Sequence, residues 1–247
     1  MASKITTLLV TFGLGAIVTV GLLLASGGTK DFISTKEVEF HKIVGAETSK
    51  KVLVVTRLHL TSAESMAAVS TVVSFVQNAL KYSSKVLVCL GFKVLPNKDT
   101  YLEDLETELQ RAGVKEQTEL LLLEPWGGFT HSLNIATSYA VENHFDVIGF
   151  QSLETTVSPD VVSRLLTLFQ DPNTLVVGPA FQGHEFKQGI QPMSGRVCPW
   201  NTLAFWDVKK LGLTGFPLIG NGFAEEVAGG VEEVTAVRFV DSLASVA

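Results

Sequence analysis

Phe145-Asp-Val-Ile-Gly-Phe-Gln-Ser-Leu-Glu154 decides the reading of this chain. An apolar run of strand type ends in polar residues, and Ser158-Pro159-Asp160 opens a helix a few positions later. Ser158 supplies an N-cap oxygen, and Pro159 stands at the first helical position, where a missing N–H costs nothing. In an open α/β sheet, ligands bind just beyond the carboxyl ends of the strands. Gln151 to Glu154 are therefore expected to border any ligand site.

Working outward, the same unit recurs. Lys51-Val-Leu-Val-Val-Thr56 reads as a first strand, with a capping box at Thr61-x-x-Glu64 and helically spaced Val69, Val72, Val73 and Val76 behind it. Val86 to Leu90 is a second strand, followed by a second capping box, Thr100-x-x-Glu103, and a helix stopping at Gly113. Glu119 to Glu124 is a third strand, and Gly127-Gly128 opens a helix that fades at Asn143. After the helix begun at Ser158, Thr174 to Gly178 is a fifth strand. Near-continuous apolar strands alternating with amphipathic helices predict an α/β fold, a mostly parallel sheet covered on both faces. Ala180 to Asn201 is irregular; Thr202 to Trp206 is another strand, Asp207 to Leu213 a short helix, and a last helix runs to about Leu243.

Composition narrows the classes of function. A net charge of −6 without a basic stripe argues against a nucleic-acid partner. Cys89 and Cys198 are far apart, no CxxC or HExxH occurs, and His41, His59, His131, His144 and His184 are scattered, so no metal-ligand spacing is present. Ile5 to Ala25 is uncharged and apolar. As a helix it would span about 31 Å, the thickness of a bilayer core. Ala25-Ser26-Gly27 resembles a signal-peptide cleavage site, but the length favours a retained single-span anchor. Residues 1–30 are thus expected to be a transmembrane anchor contacting lipid through 5–25, residues 31–50 a linker, and 51–247 the α/β domain. Lys30, Lys36 and Lys42 follow the span and only Lys4 precedes it, and the chain has no Asn-x-Ser/Thr acceptor. Both favour an organellar (mitochondrial or plastid) or cytosol-facing domain over a Golgi-lumenal one.

Four places from Lys51 to about Asp241 resemble the GT-A nucleotide-sugar fold of family 2 glycosyltransferases. Gly128-Phe-Thr-His-Ser-Leu-Asn134 resembles the glycine and Asn before the helix preceding the metal strand. Asp146-Val-Ile-Gly-Phe with Pro159 resembles the strand bearing the Asp-x-Asp motif. Asn201 to Gly212, with Gly215-Phe216, resembles the acceptor-side strand and helix. Gly230-Val-Glu-Glu233 resembles the Glu-Asp segment that supplies the catalytic base.

The resemblance implies a GT-A-like (nucleotide-diphospho-sugar transferase) sheet, and it also marks departures. The Asp-x-Asp slots hold Gln151 and Leu153; leucine has no ligand atom, and a neutral amide is a poor ligand for a hard cation. Glu154 falls one position late and belongs to the other face of a continuing strand. Leu90-Gly-Phe-Lys93 lacks the family's nucleotide-contacting Asp. Neither manganese nor magnesium is therefore expected, and a nucleotide sugar only if the domain is active. The expected role is a non-catalytic accessory or structural subunit of a membrane protein assembly, a pseudoenzyme with protein partners. The alternative is an active, metal-independent glycosyltransferase acting on a lipid or protein acceptor.

Candidate site residues follow from this frame. Glu232 and Glu233 are catalytic candidates if the domain is active, against a plain reading as acidic residues of a helix first turn. Gly128, His131, Asn134, Gln151 and Glu154 are candidates for a degenerate ligand site. His131 is otherwise an exposed first-turn residue and Glu154 a solvated loop carboxylate. Trp126 and Trp200 are candidates for stacking on a ring, or ordinary packing aromatics.

Overall fold

In the computed structural model, residues 4–8, 19–24, 32–37, 50–62, 66–92, 98–185, 189–221 and 231–244 are described. In chain order the strands are β1 (Lys4–Leu8), β2 (Thr19–Leu24), β3 (Phe32–Glu37), β4 (Val52–Leu60), β5 (Lys85–Phe92), β6 (Thr118–Leu122), β7 (Val147–Gln151), β8 (Thr174–Pro179), β9 (Gly189–Pro192) and β10 (Leu203–Asp207). The α-helices are α1 (Val69–Ala79), α2 (Lys98–Arg111), α3 (Phe129–Glu142), α4 (Pro159–Thr167), α5 (Val208–Leu211) and α6 (Val231–Ala244). They form one sheet in the order β6-β5-β4-β7-β10-β8-β2-β1-β3-β9.

The domain is built on β6, β5, β4, β7, β10 and β8. β6, β5, β4 and β7 pair in parallel. β10 is inserted antiparallel between β7 and β8. Within these six strands the expected mostly parallel sheet is therefore present, with one reversed strand. α1, α2 and α4 contribute Val72, Leu105 and Val162 to the core on one face; α3, α5 and α6 contribute Leu133, Leu211 and Ala236 on the other. β4 shows why both faces close, since Val52 and Val54 enter the first core and Leu53 and Val55 the second. Burying each such side chain stabilises by roughly 1.5–3 kcal/mol.

β7 is buried at all five positions. Its glycine is required by a neighbour: a Cβ on Gly149 would sit 2.5 Å from the ring of Phe205, which lies opposite it on β10. The helix after β7 begins as expected, with Ser158 at the N-cap, its Oγ accepting from Val161 N, and Pro159 at the first position.

Other boundaries are corrected. α1 begins at Val69 with Ala68 at the N-cap, not at Thr61, and Glu64 lies outside the described residues. α2 begins at Lys98, which places Thr100 inside its first turn rather than at a cap. The helices start where the apolar period starts, because packing rather than a local cap supplies most helix stability in a folded chain.

The N-terminal expectation meets a different backbone. Where a membrane helix over 5–25 was expected, β1 and β2 occupy its two ends, and residues 9–18 and 25 lie outside the described residues. β2 pairs antiparallel with β8, and β1 with β2. Among the described residues no helix is long and apolar enough to cross a membrane. Ile5, Thr6, Thr7, Thr19 and Val20 are β-branched and favour extended backbone. Within the expected linker, β3 pairs with β1 and β9, and residues 38–49 lie outside the described residues.

Candidate functional site

A cleft of about 770 Å³ opens beyond the carboxyl ends of β4 and β7. Its floor at β7 is formed by Gln151 to Glu154, its opposite wall by Arg57, His59 and Trp126, and its rim by Gly127, Gly128 and Phe129. This is where a parallel sheet places a ligand, because the strand ends leave a crevice between the connecting loops.

At the β7 end the polar groups are already engaged. Gln151 is buried; its Oε1 accepts from Tyr82 Oη at 2.8 Å, and its Nε2 donates to the Thr155 carbonyl at 2.7 Å. Both ends of the amide are thus used inside the protein. Burial raises the Tyr82 pKa, and the bond to Gln151 opposes the rise. Leu153 packs against the core that contains α1 and α4, and Glu154 stands exposed on the cleft edge. Among the described residues no group of three or more His, Cys, Asp or Glu is placed to hold a metal ion.

The β4 wall is arranged differently. Arg57 and His59 alternate on the strand face turned toward α3. The His59 ring stacks on Trp126 with centroids 4.8 Å apart and planes 4° from parallel. Trp126 can reach this position because residue 91 is glycine; a Cβ there would lie 2.2 Å from the indole. The chain then turns through Gly127 (φ 70°) and Gly128 (φ 88°), left-handed conformations that favour glycine, into α3. No side chain caps α3 at Gly128. Thr130 N and Oγ1 both donate to Asn221 Oδ1, at 2.8 and 2.9 Å. Arg57 Nη1 makes one long hydrogen bond, 3.4 Å, to the Phe129 carbonyl, which places the guanidinium at the first turn of α3.

Behind this wall lies a buried polar cluster. Asn201, 3% exposed, lines the cleft. Its Oδ1 accepts from Trp206 Nε1 at 2.9 Å, and its backbone N donates to Glu233 Oε1 at 2.5 Å. Among the described residues, Asn201 Nδ2 and Glu233 Oε2 have no hydrogen-bond partner. Burial, reinforced by the neighbouring Glu232 carboxylate, pushes the Glu233 carboxyl up to about 8; the Asn201 N–H and Arg57 pull the other way. Burial lowers the Arg57 pKa, with Glu232 and Glu233 opposing that shift. Arginine keeps its charge through such shifts.

The expected site residues separate into two groups. Gly128, Gln151 and Glu154 line the cleft, together with Trp126. Asn134 does not; its amide spans the chain to Phe216, donating to the carbonyl at 2.9 Å and accepting from the backbone N at 2.7 Å, a structural staple. His131 packs over Gly127 and is not part of the cleft wall. Trp200 stacks with His184 and Phe181 and donates to the Gly195 carbonyl, also away from the cleft. Glu233 is 2% exposed and sits behind Asn201; neither it nor Glu232 is on the cleft wall. Gly230 lies outside the described residues.

Arg57, His59 and Asn201 were not among the expected residues. The period-two pair Arg57 and His59, extending the apolar run past Thr56, was the available signal for two of them.

No family model matches the chain, and no curated protein does. Solved structures do. GalNAc-T7, solved with UDP, GalNAc and Mn2+, superposes with a TM-score of 0.54 at 12% identity, over 78% of this chain and 41% of that one. The chain therefore spans less than half the length of that structure. A nucleotide-diphospho-sugar transferase from Desulfovibrio desulfuricans G20 matches with a TM-score of 0.43 at 10% identity, over 77% of this chain and 75% of that one. S. aureus TarS 1-349 gives 0.42 at 10%, over 75% and 54%. The fold is that of a GT-A glycosyltransferase-like domain.

Proposed function

We propose that this GT-A-like domain has lost metal-dependent sugar transfer and serves as a non-catalytic accessory subunit of a membrane assembly, its cleft kept for binding rather than turnover. The observation that carries the reading is Gln151. In the slot where the resemblance puts the first metal-binding carboxylate stands a neutral amide bonded to Tyr82 and Thr155. The second slot holds Leu153, which packs into the core. Glu154 is a lone carboxylate at the edge. This donor set does not fit a divalent cation, which takes several oxygen ligands. Fold does not fix function, and a kept sheet with an altered site is compatible with scaffolding.

Calorimetric titration with a uridine-diphosphate sugar tests this, in manganese and in EDTA. The expected result is the same isotherm in both, with no release of uridine diphosphate over time. Binding that appears only with manganese, or turnover, overturns it. Membrane attachment and protein partners belong to the same reading. The native protein, extracted in mild detergent, is expected to travel in a defined large complex; a free monomer or dimer would count against that part.

One observation favours the second reading, an active metal-independent transferase. A carboxyl poised near 8, as at Glu233, suits proton transfer close to neutral pH. If this reading holds, Glu233→Gln abolishes turnover; since Glu233 lies behind Asn201, no turnover is expected to lose.

A further inference from the structure

We propose that His184 is an acid-sensitive latch on the chain leading to Asn201: its neutral ring ties Phe181 to Cys198, and protonation opens the tie and loosens the Asn201 side of the cleft.

The latch is built just after β8. Phe181 to His184 form a turn, closed by His184 N donating to the Phe181 carbonyl at 3.1 Å. Gly183 takes a left-handed φ of 102° in that turn, which favours glycine. The half-buried His184 ring then meets the returning chain. It lies against the Trp200 ring, with centroids 4.1 Å apart. Trp200 in turn stacks on Phe181, with planes 14° from parallel.

The two ring nitrogens have opposite duties. A backbone N–H can only donate, and Phe181 N donates to Nδ1 at 2.7 Å, so Nδ1 carries no proton. The ring proton is therefore on Nε2, which donates to the Cys198 carbonyl at 2.9 Å. A second proton has to go on Nδ1, where it meets the Phe181 N–H. Turning that proton to the Phe181 carbonyl, 3.2 Å away, still leaves the Phe181 N–H without its acceptor.

Neighbouring charges do not offset this. Among the described residues, the charged groups of the segment are Glu185 and Arg196, which pair with each other. The end of β8 contributes Gly178 and Pro179, which do not titrate. Glu232 and Glu233 on α6 act on the buried Cys198 thiol. None of these carboxyl groups acts on the ring: burial lowers the His184 pKa, and the bonds to the Cys198 and Phe181 backbone oppose the shift.

The latch reaches the cleft through three residues. Cys198, Pro199 and Trp200 lead directly to Asn201, whose backbone N–H is held by Glu233 and which lines the cleft. Linkage sets the direction. The closed ring resists a proton that an open ring takes at about 6.5, so the closed form is fully favoured above that pH and is lost as pH falls below it, by up to about tenfold per unit.

Hydrogen exchange of the full chain by mass spectrometry, corrected for the intrinsic effect of pH, tests this. From pH 7.0 to 5.0, peptides carrying Phe181, Glu185 and Asn201 are expected to open at least about fivefold more, with those of β5 unchanged. Glu233, at about 8, is already protonated across this range. His184→Gln does not titrate and should remove the pH dependence. Ring resonances of the unaltered chain should show the Nε2-protonated tautomer at pH 7.0 and a midpoint below about 6.5. If His184→Gln fails to fold, judged by circular dichroism, exchange and ring titration of the unaltered chain decide. Exchange that stays constant with pH at these positions overturns the proposal, as does a ring midpoint at or above about 6.5. So does a pH response kept in full by the folded glutamine variant, or equal opening of β5, which would be global rather than local release.

Discussion

The two sides of the cleft floor are built from neighbouring strands of one sheet, yet they treat their polar groups in opposite ways. At the end of β7, Gln151 has both ends of its amide bonded, to Tyr82 just after α1 and to the Thr155 carbonyl. On β4, Arg57 makes one long bond, and the Asn201 NH2 is buried with no acceptor, among the described residues. Tyr82 accounts for much of the difference. Gln151 belongs to the sheet face covered by α1, where a hydroxyl meets it, whereas Arg57 belongs to the face covered by α3, where it meets the Phe129 carbonyl in the first turn. Position along a strand, odd or even, thus decides whether a polar residue becomes structural or stays available.

The largest expected effect breaks the saturated side. Gln151→Leu leaves Tyr82 Oη and the Thr155 carbonyl without their partner, and urea denaturation should show a loss of about 2–3 kcal/mol. On the available side, Glu233→Gln changes the pH dependence. The folded pKa lies above the ordinary carboxyl value, so the folded state holds a proton that the unfolded state releases between about 4.5 and 8. Stability contributed by the neutral carboxyl is complete below about 4.5 and is lost as pH rises through that window. Between pH 6 and 8 the decline should be about 2 kcal/mol, and the glutamine variant should flatten it. Thermal melts across pH check this, and an unchanged slope would show that Glu233 titrates normally.

Gly91→Ala tests the wall itself. The added methyl overlaps the Trp126 indole, which must leave its stack on His59. A loss of about 1–2 kcal/mol is expected, with a shift in tryptophan emission. The smallest effect belongs to Glu154→Gln, an exposed edge carboxylate whose removal should change stability by less than about 0.5 kcal/mol. A larger loss there would give Glu154 a structural role that its exposure does not suggest.

Legibility in the sequence followed the range of each interaction. The strand–helix alternation, the cap at Ser158 with Pro159, and the helix fading at Asn143 depend on residues a few positions apart, and the structure has them. The capping patterns at Thr61 and Thr100 are equally local, but α1 begins at Val69 and α2 at Lys98, where the apolar stripes set where packing begins. Over residues 5–25 hydropathy alone suggested a membrane helix; pairing with β8, more than 150 residues away, is what gives Thr19–Leu24 its strand form. Within the site, Gln151 and Gly128 could be placed from strand ends and turn glycines. Asn134 resembled a ligand residue until its partner, Phe216, came within reach through folding.

By itself, the sequence determined the fold class, the place of the cleft beyond Phe145 to Gln151, and the chemical fact that positions 151 and 153 carry no carboxylate. Those follow from periodicity and side-chain chemistry, which need no distant partner. Only the tertiary structure decided that β10 runs antiparallel between β7 and β8, that both ends of the Gln151 amide are engaged, and that Arg57 and Asn201 line one cleft. Most of these depend on residues distant in the chain meeting across the sheet, as Tyr82 meets Gln151 and β10 meets β7, and such meetings are set by the packing of whole layers. The stretch that opened the reading is therefore the floor of the cleft, while Arg57, His59 and Trp126 form the wall opposite it.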